Sequence, residues 1–255
     1  MLTTIPKVLI FDLDGTLTES KSPMTVEMGA LFAQLLEKMP VAVMSGGALV
    51  QFQKQFLTAL PTYTKLVHLY LFPTSAAQCY VFKDNEWKTI YNLTFTQEER
   101  AKIHSALDLA LQETGMDRPP EPVWGERIED RGAQITFSAL GQHAPYSEKK
   151  TWDPYRTKRA PLAAALIRML PDFNIAVNAT SSIDITHKGK TKAYGIEQLS
   201  KMLNIQISDM LYVGDALFPS GNDYVVIQTG ITTKPISSPE ETAALIHSLL
   251  DKYAE

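Results

Sequence analysis

The chain has 255 residues, 45% of them hydrophobic and 20% charged, and a formal net charge of -4. That is enough apolar material for one large core or two smaller ones. The acidic balance argues against general binding to nucleic acid or to an anionic membrane, and so favours a small-molecule partner. One cysteine, Cys79, rules out an intrachain disulfide and reads as a small core residue. The amino terminus lacks the pattern of a signal peptide, and no apolar run approaches the roughly 18 residues of a membrane span, so the expected location is the cytoplasm.

Val8-Leu9-Ile10 reads as a buried strand of a parallel sheet, and it delivers Phe11-Asp12-Leu13-Asp14-Gly15-Thr16 at its carboxyl end. Ligands of open α/β sheets bind there. Asp12 and Asp14, two apart on extended chain, can aim at one point while Leu13 turns into the core. Two crowded carboxylates beside a phosphate ester need a cation, and a hard, oxygen-seeking ion such as Mg²⁺ is the simplest choice. Asp12 then reads as a nucleophile towards phosphorus, and Asp14 as the acid and base beside it. Asp-Gly is also a common turn dipeptide, and the short stretch alone leaves that reading open.

Thr25 to Lys38 has a helical period ended by Pro40, and Val41 to Met44 is a second strand. Ser45-Gly46-Gly47 follows it, a hydroxyl and two unshielded backbone amides that suit a phosphate oxygen, although Ser45 could equally cap a helix from Leu49 to Leu57. Leu66 to Phe72 is a third strand. The texture then changes: Gln78 to Phe82 and Trp87 to Tyr91 read as a hairpin, Gln97 to about Thr114 as a helix, and Val123 to Glu129 and Ala133 to Ala139 as strands. Arg156 to Leu170 reads as a helix, and Phe173 to Val177 and Ser182 to Thr186 as strands. The expected organisation is an α/β protein, with a core of residues 1–81 and 187–255 and an inserted α+β domain of residues 82–186. The first texture resumes with a helix from Lys192 to Leu203 and a strand from Met210 to Val213, followed by the loop Gly214-Asp215-Ala216-Leu217-Phe218-Pro219-Ser220-Gly221-Asn222-Asp223. Val225-Val226-Ile227 and a helix from Glu240 to Leu250 close the chain.

Asp12-Leu13-Asp14-Gly15-Thr16, then Ser45, then a lysine near 190, then Gly214-Asp215 with Asn222-Asp223 form an ordered set. It resembles the haloacid dehalogenase superfamily of phosphotransferases. The resemblance narrows to subfamily IIB, with its type C2b cap, and to the eukaryotic-type phosphomannomutases and their bacterial hydrolase relatives. It implies a Rossmann-like core with a parallel sheet plus an inserted cap that selects the substrate. Of Lys188, Lys190 and Lys192, the residues flanking Lys192 match the family's lysine. The resemblance further implies Mg²⁺ held by Asp12, Asp215 and the backbone carbonyl of Asp14, with Asn222 and Asp223 in support. Arg131, Ser138, Gln142, Lys149 and Lys150 are the candidate cap contacts to substrate, and a homodimer formed through the caps is plausible by the same resemblance.

Where the mutases carry arginines this chain has Lys21, Gln142 and Lys149, and only Arg131 matches. Arginine grips phosphate bidentately and lysine acts as a point charge, so the site is poorly equipped for the second phosphate that a mutase must hold. Hydrolysis of a sugar phosphate through an aspartyl phosphate is therefore preferred to mutase activity. A third reading, nucleic-acid binding through the basic and aromatic stretch Glu148 to Arg159, is opposed by the net charge.

Overall fold

The structure is a computed structural model that describes residues 5–19, 22–178, 181–219 and 221–253. Lys21 and Ser220 lie outside the described residues. Two compact units emerge, residues 1–92 with 191–255, and residues 93–190.

In chain order the first unit opens with β1 (Val8–Asp12), α1 (Val26–Lys38), β2 (Val41–Met44), α2 (Leu49–Gln55) and β3 (Leu69–Phe72). A single turn, α3 (Pro73–Ala76), leads into the hairpin β4 (Gln78–Lys83) and β5 (Glu86–Asn92). The second unit holds α4 (Gln97–Glu113), β6 (Ile128–Asp130), β7 (Gln134–Ser138), α5 (Tyr146–Trp152), α6 (Ala160–Met169), β8 (Phe173–Asn178) and β9 (Ser182–His187). The chain then returns to the first unit with α7 (Lys192–Leu203), β10 (Met210–Gly214), β11 (Thr232–Pro235) and α8 (Pro239–Lys252).

The first unit is built on a seven-stranded sheet of order β11-β10-β1-β2-β3-β4-β5. The first five strands are parallel, and β4 and β5 add to the edge antiparallel. Its central strands β1, β2 and β10 are apolar up to their carboxyl ends because both faces are covered. Leu9, Phe11, Val41, Val43, Leu211 and Val213 pack with α1 and α8, while Val8, Ile10, Ala42, Met44, Met210 and Tyr212 pack with Ile196 and Leu199 of α7. This arrangement puts the carboxyl ends of β1, β2 and β10 side by side. Cys79 is free and buried, its thiol pushed up to about 12 by burial, as a core residue should be.

The second unit is a separate antiparallel sheet of order β6-β7-β9-β8. Ile135, Phe137, Ile183 and Ile185 share a core with Ile103 and Leu107 of α4 and Leu162 and Leu166 of α6. The alternate residues Gln134, Thr136, Ser138, Ser182, Asp184 and Thr186 are buried and polar.

The architecture is the expected α/β core with an α+β insertion, and the divisions differ from the expected ones in an instructive way. The hairpin of β4 and β5 changes strand direction but stays bonded to β3, so it belongs to the first sheet and the first division falls after Asn92, not after residue 81. The second falls after Lys190. The apolar run Val225-Val226-Ile227 lies in a 3-10 turn, and the last strand is β11, four residues on the sheet edge. Helix α6 starts at Ala160 because Asp153 captures the backbone N–H groups of Lys158 and Arg159, and Arg156 takes φ +59°.

Candidate active site

Strand β1 ends on Asp12, which is buried, while Leu13 turns fully into the core. A tight turn follows: the N–H groups of Leu17 and Thr18 both donate to the Leu13 carbonyl, at 3.0 and 3.1 Å, and the Gly15 N–H donates to the Thr18 carbonyl at 2.7 Å. Gly15 has φ +84°, and a Cβ there would lie 2.6 Å from Oδ2 of Asp215. Glycine therefore lets the first loop and the β10 loop approach each other. Asp14 is half-buried on this turn, bridged to Thr18.

Lys192 is the first residue of α7, and its side chain is buried. Its ammonium donates to Oδ1 of Asp12, to Oδ1 of Asp223 at 2.6 Å and to the hydroxyl of Tyr212 at 3.2 Å. Asp223 is fully buried and also accepts from the Tyr212 hydroxyl at 2.6 Å and, through Oδ2, from the Ala216 N–H at 3.2 Å. Asp215 follows β10 directly and is open to solvent. Carboxylate oxygens of Asp12, Asp215 and Asp223 lie within 4.8 Å of one another.

The electrostatics follow from this crowding. Burial pushes the Asp12 carboxyl well above the usual carboxylate range; Lys192 pulls it down, and Asp223 and Asp215 push it up again. Asp215 is raised to about 6, first by loss of solvent on its packed side and then by the charge of Asp223. Burial alone would lower Lys192, but the neighbouring Asp12 and Asp223 outweigh it and the ammonium is raised. Three carboxylates share one ammonium, and the uncompensated negative charge with its oxygen-only donors suits a hard divalent cation. The expected trio counted Asp14 through its carbonyl; by side chain the third carboxylate of the cluster is Asp223.

Ser45 stands at the end of β2, beside β1, where Asp12 pairs with Met44. Its Oγ accepts from the Gly47 N–H at 3.1 Å, and it does not cap α2, which starts after Ala48 with Gln51 accepting from the Ala48 N–H at 2.9 Å. The carbonyls of Ser45 and Gly47 take the N–H groups of Ser75 and Thr74, both at 2.9 Å. Those two residues and Ala76 are left-handed, with φ 51°, 56° and 68°, a conformation costing non-glycine residues about 1–2 kcal/mol each. The strained turn thus braces the Ser45-Gly46-Gly47 loop from behind.

The expected substrate residues of the insertion do not all meet. Arg131 precedes β7 and closes on Glu129 through Nε and Nη2 at 3.0 and 2.7 Å. Ser138, Gln142 and Lys149 gather at the other end of β7, roughly 13 Å along the strand. There Ser138 Oγ donates to the Gly141 carbonyl at 3.0 Å, Gln142 Nε2 to the Thr136 carbonyl at 3.3 Å, and the buried Lys149 ammonium to the Gln142 carbonyl at 2.8 Å. Lys150 is exposed. In the core unit Asn222 is exposed, so of the supporting pair Asp223 alone holds Lys192. Two further groups escaped the sequence reading: Tyr212, hidden in an apolar strand, and the buried ion pair of Arg159 with Asp153 at 2.8 Å. A tyrosine inside a fully buried strand was itself a signal, since its hydroxyl must find a partner.

A family model described as haloacid dehalogenase-like hydrolase matches residues 148–229. A phosphomannomutase of Spinacia oleracea is 26% identical over 243 residues, 92% of each chain, and one of Arabidopsis thaliana is 24% identical over 258 residues, 98% of this chain and 99% of that one. Among solved structures, the IMP-bound IMP-nucleotidase of Plasmodium falciparum superposes with TM-score 0.70 at 16% identity, covering 96% of this chain and 68% of that chain. A haloacid dehalogenase-like hydrolase from Bacteroides thetaiotaomicron superposes with TM-score 0.60 at 12% identity, covering 96% of this chain and 99% of that one. These two share the fold. With strand-end aspartates, a helix-borne lysine and an inserted α+β unit already in view, the chain is similar to the haloacid dehalogenase-like hydrolases, and it is a distant relative of the eukaryotic phosphomannomutases over nearly its full length.

Proposed function

We propose that this protein is a Mg²⁺-dependent phosphatase of a small phosphomonoester, in the first place a sugar phosphate. The observation that carries this reading is the Lys192 ammonium seated on Asp12 and Asp223 beside Asp215. A buried carboxylate aimed by a fixed cation is equipped to attack, and the uncompensated negative charge of the cluster would draw the divalent cation that the ester's phosphoryl oxygens need.

On this reading an Asp12 oxygen attacks phosphorus in line while the bond from phosphorus to the sugar oxygen breaks, and Asp14 gives that oxygen its proton. Asp14 then takes a proton from water, whose oxygen attacks the aspartyl phosphate, releasing phosphate and restoring Asp12. Lys192, the Ser45 hydroxyl and the backbone amides of Gly46 and Gly47 oppose the charge of the transferring group. Mg²⁺ at Asp12, Asp215 and the Asp14 carbonyl would neutralise phosphoryl charge. Asp223, with both oxygens already hydrogen-bonded, serves to hold Lys192.

Hydrolysis is preferred to mutase chemistry because two cations suited to a second phosphate are engaged within their own unit, Arg131 by Glu129 and Lys149 by the Gln142 carbonyl. Mutase activity is the second reading, favoured by the name shared by the relatives in sequence. A panel of phosphate esters with Mg²⁺, scored in parallel for free phosphate and for isomerised sugar phosphate with and without a sugar bisphosphate, separates the two. Phosphate release without isomerisation supports the phosphatase; bisphosphate-dependent interconversion of hexose 1- and 6-phosphates overturns it in favour of the mutase.

A further inference from the structure

Tyr212 lies on β10, three positions before Asp215, and no part of it reaches solvent. Its register partner is Ile10 of β1, and its ring shares the apolar layer beneath α7. The hydroxyl, though, meets the charged groups of Lys192 and Asp223. It has a single proton, and Asp223 Oδ1 at 2.6 Å can only accept, so that proton goes to Asp223 and a lone pair is left facing Lys192 Nζ at 3.2 Å. Lys192 also reaches Asp223 Oδ1 at 2.6 Å, which closes a three-membered ring of hydrogen bonds among Lys192, Asp223 and Tyr212. Together with Asp12 this gives each of the three ammonium protons its own acceptor.

We propose that Tyr212 is a positioning residue which, through its hydroxyl, fixes the Lys192 ammonium on Asp12. The inference rests on the reading of Asp12 as nucleophile. The physical reason is competition. Asp12 and Asp223 both attract the ammonium, and a proton from Tyr212 on Oδ1 of Asp223 draws charge from that oxygen and weakens its hold. The lone pair of Tyr212 at the same time occupies the third ammonium proton, which keeps Nζ from rotating. Without the hydroxyl the ammonium has two acceptors for three protons, and the buried Asp223 has one donor fewer; both changes draw Lys192 towards Asp223 and away from Asp12. Because Tyr212 is enclosed, it cannot contact an ester, so its effect belongs to turnover and not to binding.

The test is Tyr212→Phe, which keeps the ring and removes only the oxygen. With a phosphomonoester that the native protein turns over, kcat falls about 10- to 100-fold, the range typical for partners behind a reacting group, while KM stays within about twofold. A second readout needs no activity: in protein carrying ¹⁵N-lysine, the buried Lys192 ammonium gives a slowly exchanging resonance, assigned by its absence in Lys192→Met, that shows a contact to a protected tyrosine hydroxyl proton. In Tyr212→Phe this resonance moves or is lost to exchange. Unchanged kcat, a loss carried by KM, or an unaltered Lys192 resonance overturns the proposal. If Tyr212→Phe does not fold, the native spectrum decides alone, because absence of a protected tyrosine hydroxyl beside the ammonium also overturns it. If no ester is hydrolysed, the phosphatase reading fails, and the Lys192 resonance still decides the role of Tyr212.

Discussion

The ammonium of Lys192 donates to the carboxylate of Asp12, a residue 180 positions earlier in the chain, and both are buried. A lysine at the start of α7 and an aspartate at the end of β1 meet because the helix packs on the face of the sheet where these strands end. Their union with Asp215 and Asp223 sets what substitutions, pH and metal will do.

Replacing Asp12 by Asn should abolish phosphoryl transfer while leaving a folded protein. Asparagine lacks the nucleophilic charge but keeps the shape, and Lys192 retains Asp223. Circular dichroism with an ester assay checks both halves, and near-native turnover in a pure Asp12→Asn sample would sink the nucleophile assignment.

Asp14→Asn should retain Mg²⁺ binding and lose nearly all turnover of esters with poor leaving groups, because an amide cannot protonate the departing oxygen. Esters of acidic phenols need less protonation and should be spared in part. Equal losses for both ester types would point to a different acid.

Lys192→Met strands two buried carboxylates without their cation. Removing one partner of a buried pair costs about 3–5 kcal/mol. Denaturant unfolding without metal should show a loss of that order, and added Mg²⁺ should recover part of it. A loss below about 1 kcal/mol would contradict the burial of this cluster.

The pH response has a defined sign. Asp12 and Asp215 are raised in the folded protein, Asp215 to about 6, so in metal-free protein their contribution to stability is complete below the ordinary carboxylate range near pH 4. The share of Asp215 is lost as pH rises through about 6, and that of Asp12 as pH rises through its own raised value. Mg²⁺ requires the ionised carboxylates and acts oppositely, so the rise in Tm on adding Mg²⁺ should be small at pH 5 and larger at pH 7.5. Thermal scans at both pH values check this, and a Mg²⁺ effect that is larger at pH 5 would exclude these carboxylates as the site.

Gly15→Ala places a Cβ 2.6 Å from Oδ2 of Asp215 on a residue of φ +84°. The left-handed conformation alone costs about 1–2 kcal/mol. Stability should fall by at least that much, and the thermal response to Mg²⁺ should weaken because Asp215 must shift; an unchanged response would detach Asp215 from the ion.

Much of this was legible in the linear chain, since strand ends, glycines and carboxylates are local features. Val8 to Asp12, Val41 to Met44 and Met210 to Gly214 are apolar runs followed at once by polar groups, and parallel packing puts such ends together. The hairpin of β4 and β5 was legible as a hairpin but not as part of the main sheet, because pairing with β3 is a long-range choice that local alternation does not encode. Lys149 reads as a candidate substrate contact and Arg159 as part of a basic stretch; the structure buries both, one on the Gln142 carbonyl and the other on Asp153.

The sequence by itself determined the two aspartates of the first loop, the glycine that follows them and the later acidic loop, and with these the kind of chemistry the protein is equipped for. Composition and order suffice there because each group needs only a strand end and a turn. Only the tertiary structure decided that Asp223 and not the Asp14 side chain completes the carboxylate cluster, and that the Tyr212 hydroxyl meets the lysine held by Asp12 and Asp223. Those facts depend on angles and distances between segments far apart in the chain, and burial there multiplies the effect of every charge.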